Sequence, residues 1–238
     1  MFNRLGHSLL LMAILPTLVL ADPSCTPLVD KKLIYQLTLT VPATFCKSRH
    51  TDPSCRRFPK STLIQLHGLW PNYVDHTFPE GSCDAQECPM GNGGSFCGDY
   101  YSPPDLYDSQ VWLNESGFMA GVERCLERHE WTKHGVCSPM KDNAVKYFKT
   151  ALDETKRIAM GLNPQPDLPI SQSDLNQVIK AKLPDLDGAF RFRCNGSRVL
   201  EISVSYEWGD TPGKAIKDTS QNNIFKGCSE RVIFPSRP

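Results

Sequence analysis

The chain has 238 residues, with 26 basic and 26 acidic side chains and a formal net charge of zero at pH 7. That balance is not the profile of a tight nucleic-acid binder, which needs many phosphate contacts, although it leaves room for an enzyme that grips a few nucleotides briefly. Ten cysteines, an even number, read as up to five disulfides in an exported chain.

Residues 1–21 carry Arg4, an apolar stretch from Leu9 to Leu20 and the ending Val19-Leu20-Ala21. This is the pattern of a signal peptide cleaved after Ala21. The stretch is short for a bilayer span and is interrupted by Pro16. Residues 22–238 then form a mature chain of 238 − 21 = 217 residues, enough for one domain with a sizeable core. Every cysteine follows the signal peptide, and no CxxC pair occurs. Cys83 and Cys88 lack a second pair at ligand spacing, so a zinc framework is disfavoured.

In chain order, Leu33–Thr40 alternates β-formers with polar residues and is predicted to be a strand. Ser61–His67 is predicted to be a second strand, ended by Gly68. Residues 71–104 are rich in Gly, Pro, Asp, Asn and Cys and read as a long loop region. A helix is expected from Asn114 or Ser116 through Val122, Leu126 and Trp131 towards His134, closing at Gly135. A second helix should run from Asp142 to about Met160, with Val145, Phe148, Ala151 and Ile158 on one face. Ser171 to Asp174 looks like the cap of a third, through Leu175, Val178 and Ile179. Phe190–Cys194 and Val199–Trp208 read as a hairpin around Asn195-Gly196. The expected class is α+β: a largely antiparallel sheet with helices packed against it, stabilised by disulfides.

Two segments carry chemistry. His67-Gly68-Leu69-Trp70-Pro71 sits where a strand presents a side chain at a sheet rim. In Arg128-His129-Glu130-Trp131-Thr132-Lys133-His134-Gly135, about 100° per helical residue puts His129, Glu130, Lys133 and His134 on one flank. Trp131 points away, towards the core. Two imidazoles, a carboxylate and an ammonium on one flank are costly as mere packing and shift one another's pKa values. A zinc-protease reading fails, because HExxH sets its histidines four residues apart and His129 and His134 are five apart.

Together, HGLWP (His67–Pro71) and HEWTKHGVC (His129–Cys137) resemble the two active-site segments of the ribonuclease T2 family, acid ribonucleases that include the plant self-incompatibility ribonucleases. Val41-Pro42-Ala43-Thr44-Phe45-Cys46 resembles that family's first cysteine segment. The resemblance implies an antiparallel sheet with packed helices and a catalytic pair, His67 and His134. It implies that Glu130 and Lys133 stabilise the phosphorane-like transition state and that His129 holds the phosphate. Trp70 would stack on a base, with Tyr73 and Phe78 adding aromatic surface. His134 is favoured as base and His67 as acid, an order the sequence leaves open. The expected substrate is single-stranded RNA, not DNA, without metal or other cofactor.

Spacing suggests a Cys46–Cys55 bridge, and the resemblance suggests Cys83–Cys137 and Cys194–Cys228. Cys25, Cys88, Cys97 and Cys125 are left unassigned. Thr40-Val41-Pro42 replaces a common Gln-Trp-Pro, and Leu126-Glu127 replaces two aromatic residues. Both places help form the second base pocket in relatives, so base preference is left open. Asn114 and Asn195 begin glycosylation tripeptides, which count only in a eukaryotic host. The protein is expected to be secreted or periplasmic, free of the membrane after cleavage, and monomeric. The alternative reading is an exported disulfide-rich binding module on the same fold, with a zinc hydrolase as a distant third.

Overall fold

The computed structural model describes residues 24–25, 28, 30–51, 55, 63–75, 77, 81–82, 86–87, 95–96, 125–217 and 224–238. In chain order the elements are β1 (Ser24–Cys25), β2 (Leu33–Thr40), α1 (Pro42–Ser48), β3 (Gln65–Tyr73), β4 (Gly81–Ser82), β5 (Gln86–Glu87) and β6 (Ser95–Phe96). Then follow α2 (Cys125–Lys133), α3 (Ala144–Leu162), β7 (Ile170–Ser171), α4 (Gln172–Lys182), β8 (Phe190–Glu207) and β9 (Phe225–Ile233). The central sheet has the order β3-β2-β8-β9-β7. Its pairings are antiparallel except β8 with β9, where Phe192 lies beside Phe225 and Arg193 beside Lys226 in parallel register. The expected α+β class is the one observed.

The period-two pattern of β2 divides the sheet into two faces. Tyr35, Leu37 and Leu39 are buried and align with Tyr206, Val204 and Ile202 of β8. Helix α3 lies on this apolar face. Its Tyr147 donates to the Leu69 carbonyl of β3, and its Phe148, Ala151, Leu152 and Ile158 join the core. On the other face Gln36, Thr38 and Thr40 align with Ser205, Ser203 and Glu201. That polar face runs towards the candidate site.

Several boundaries differ from expectation for local reasons. β3 continues through Trp70 and Pro71 to Tyr73, where the sequence suggested an end at Gly68. The strand is at the sheet edge, where a proline has no ladder donor to forfeit. α3 begins and ends two residues later than expected, and Val145, placed on its inner face by the sequence, is 37% exposed. α3 is capped at its start by Asn143, whose side chain accepts the Lys146 N–H at 2.8 Å, and it ends on Asn163 in a left-handed conformation. α4 starts at the predicted cap, with Ser171 accepting the Asp174 N–H at 3.0 Å.

The Phe190–Glu207 ribbon doubles back as the hairpin pattern required. Arg193 donates to Glu201 at 2.7 Å, whereas eight residues of straight strand would part them by about 26 Å. Gly196 takes the positive φ of 62° that the reversal needs.

Disulfides join Cys25–Cys137, Cys46–Cys55 and Cys194–Cys228. The last two are the expected pairs. The expected Cys83–Cys137 pair is overturned, because Cys137 is bonded to Cys25, 112 residues away; Cys83 lies outside the described residues. Sequence order hid this partner because β1 is carried back beside the end of α2 by tertiary folding. No helix among the described residues is long and apolar enough to cross a membrane.

Candidate active site

His67 owes its placement to an irregularity in the ladder. Thr38 faces Gly68 and Leu39 faces Leu66, which leaves His67 as the extra residue of a β-bulge. A bulge re-aims its side chain, and here the imidazole ends between two carboxylates. His67 Nε2 lies 3.7 Å from Glu130 Oε1, and Nδ1 lies 3.4 Å from Glu201 Oε1.

The second segment arrives on α2. Trp131 is buried and packs edge-on against Tyr147 at 5.6 Å, anchoring the helix to α3. Truncating such a side chain typically costs about 3–5 kcal/mol. With Trp131 inward, Glu130 turns towards β3 and accepts the Trp70 indole N–H at 2.5 Å. α2 ends at Lys133, so His134 is not a helical residue as expected. It caps the following turn with φ −122° while its N–H still reaches the Glu130 carbonyl at 3.1 Å. The Trp70 ring lies close to both imidazoles, its centroid 5.2 Å from that of His67 and 5.5 Å from that of His134. His129 stands 6.1 Å from His134, ring to ring.

Both motif glycines are explained by this packing. A Cβ on Gly68 would run into Glu130 Oε2 and Trp70 Nε1, and a Cβ on Gly135 would meet the Trp131 ring. Gly68 thus lets Glu130 and Trp70 join, and Gly135 lets the chain turn tightly after His134.

The environments of the two histidines push them apart. Burial, reinforced by the charges of His129, Lys133 and His67, drives His134 well down, to about 2. Burial also opposes charge on His67, yet Glu201 and then Glu130 outweigh it and hold that imidazole above the ordinary value of 6.5. His129 is lowered to about 4 by burial, then by Lys133 and His67. Burial raises Glu130 to about 7, against the pull of His67, Trp70 and Lys133. One imidazole pushed towards the neutral form and one held towards the charged form are equipped for proton transfer in opposite directions.

The structure therefore brings together His67, Trp70, His129, Glu130, Lys133 and His134. It does not bring in Tyr73, which is 3% exposed, alternates to the other face from Trp70, and accepts the Leu28 N–H on its hydroxyl at 2.6 Å. Phe78 lies outside the described residues. Side-chain atoms of His129, Glu130 and His134 come within 4.8 Å of one another. A metal would need the Glu130 carboxylate that Trp70 and His67 already engage. Glu201 escaped the sequence reading. Its signal was a carboxylate on the polar face of an otherwise alternating strand, Val199 to Tyr206, but its partner is remote in sequence.

The same segments and fold recur in known proteins. Residues 32–208 match the model of the ribonuclease T2 family. The chain belongs to the ribonuclease T2 family. Ribonuclease S-2 of Nicotiana alata is 28% identical over 209 residues, covering 84% of this chain and 87% of that protein. Ribonuclease I of Escherichia coli is 26% identical over 215 residues, covering 79% and 70%. The crystal structure of RNase NT in complex with 5'-AMP superposes with a TM-score of 0.56 at 18% identity, covering 87% of this chain and 99% of that one. Membership of the ribonuclease T2 family places the chain among ribonucleases, and the shared fold is the α+β architecture described above.

Proposed function

We propose that this chain is a secreted or periplasmic, metal-independent endoribonuclease that cleaves single-stranded RNA with His134 as base and His67 as acid. The observation that carries the reading is the gathering of both imidazoles around Trp70, at 5.2 Å and 5.5 Å, with Glu130 and Glu201 beside His67 and the burial of His134 favouring its neutral form.

His134, neutral, takes the proton of the ribose 2′-hydroxyl. The 2′-oxygen bonds to phosphorus, the bond from phosphorus to the 5′-oxygen breaks, and His67 gives its proton to the departing oxygen. The product is a 2′,3′-cyclic phosphate. A water molecule then reverses the roles and slowly opens it to a 3′-phosphate. Lys133 offsets the negative charge that develops on the phosphoryl oxygens, Glu130 assists from beside His67, and His129 holds the phosphate. DNA has no 2′-hydroxyl and cannot enter this path. Trp70, half-buried and tethered to Glu130, supplies a stacking surface that tolerates any base. Residues 1–21 would be removed as a signal peptide, leaving residues 22–238 as a monomeric domain in an oxidising compartment that suits its disulfides.

The test is incubation of the oxidised protein with RNA and with single-stranded DNA in EDTA, followed by end-group analysis. RNA cut to 2′,3′-cyclic ends with DNA untouched supports the reading. Cleavage abolished by EDTA, or folded protein that cuts nothing, overturns it; the latter outcome favours the binding module.

A further inference from the structure

Resting on the reading of His67 as the acid, we propose that Glu201 is a positioning residue that fixes the orientation and proton of the His67 imidazole. The bulge turns His67 across the sheet towards β8, where Thr40 of the intervening strand aligns with Glu201. Glu201 Oε1 then lies 3.4 Å from His67 Nδ1, an ion-pair contact on the ring edge opposite Glu130. Glu201 is itself held in place: Arg193, from the other arm of the hairpin, donates Nε to Oε2 at 2.7 Å and leaves Oε1 for the imidazole.

This arrangement divides the labour between two carboxylates. A partner on Nδ1 fixes the ring and leaves Nε2 as the nitrogen with a transferable proton, as carboxylates do behind metal-bound and catalytic histidines. Glu130 touches Nε2 and belongs to the reacting side, so it does not serve this purpose. Among the described residues, the titratable and charged groups acting on His67 are Glu130 of α2, His129 and His134 from the same segment, and Glu201 and Arg193 of β8. Of these, the two carboxylates favour its charged form. Glu201 stays ionised to do so: burial works against its charge, but His67 and Arg193 outweigh burial and lower its pKa.

The experiment uses the full oxidised protein and two readouts. Histidine titration by NMR, without substrate, follows His67 in wild type, Glu201→Gln, Glu201→Asp and Arg193→Met. Steady-state cleavage is measured with a dinucleoside phosphate and with a nucleoside 3′-phosphate ester of p-nitrophenol, whose departure needs no acid. Glu201→Gln should lower the His67 pKa. It should reduce kcat on the dinucleotide about 10–100-fold while KM stays within about twofold. The nitrophenyl ester should be cleaved nearly as by wild type, and Glu201→Asp should restore most of both readouts. Arg193→Met removes the anchor of Glu201 together with a cation that opposes His67 protonation, and should move the His67 pKa away from its wild-type value, a check that does not depend on the Gln variant folding. A His67 pKa that moves in neither variant overturns the proposal, as does a loss of activity equal on both substrates. Failure of wild type to cleave RNA would instead reject the catalytic reading, and the titration would still decide whether Glu201 governs His67.

Discussion

The indole of Trp70 and the carboxylate of Glu130 are joined by a 2.5 Å hydrogen bond that links the edge strand β3 to helix α2. It fixes the aromatic ring and takes up one oxygen of a carboxylate whose pKa burial has raised to about 7. Trp70→Phe keeps an aromatic face but removes the donor, leaving the buried Glu130 short of a partner. The variant should lose about tenfold in kcat with a smaller change in KM, read from steady-state cleavage of a dinucleoside phosphate. An effect confined to KM would mean that Trp70 serves the base alone.

The pH dependence follows from the two histidines with its sign worked out. In the proposed mechanism activity needs His134 neutral, and its pKa is driven far below 6.5, so acid would not readily switch off the base. The same mechanism needs His67 charged, and its pKa is held above 6.5, so activity should be lost as pH rises through the His67 pKa. The profile of kcat/KM should be a broad bell with its plateau on the acid side of neutral and a falling limb above pH 6.5. Rates measured from pH 4 to pH 9 check this; a flat profile, or one that rises into the alkaline range, contradicts the assignment of roles.

Much of this was legible in the sequence where chemistry is local. The alternation of Leu33–Thr40 and the Ser171 cap are short-range signals, and both elements appear where they were expected. The helical flank of His129, Glu130 and Lys133 opposite Trp131 follows from helix geometry alone. What was not legible depends on distant pairing. The His67 bulge exists only relative to β2, the Glu201 contact needs β8 beside it, and Cys25 finds Cys137 only once β1 returns to the end of α2. Tyr73 was misplaced because the strand was ended too early. Extending β3 through Pro71 sets Trp70 and Tyr73 on opposite faces.

The Cys25–Cys137 bridge closes a segment of 112 residues and attaches three positions beyond His134. Replacing both cysteines by alanine should cost about 2–5 kcal/mol of stability. It should also lower activity, because Gly135–Cys137 forms the turn that seats His134. Thermal unfolding and cleavage rates on the same preparation check this. Stability lost without any loss of rate in the folded range would show that the bridge braces the fold but not the site.

In the proposed mechanism proton transfer is divided between His134 and His67, and comparing two variants on two leaving groups tests that division. On a dinucleoside phosphate, His67→Ala and His134→Ala should each lose roughly 10²–10⁴-fold in kcat. On a nucleoside 3′-phosphate ester of p-nitrophenol, His67→Ala should recover most of its rate, while His134→Ala should remain impaired. Recovery of His134→Ala instead, or equal loss of both variants on both substrates, would contradict the assignment of acid and base.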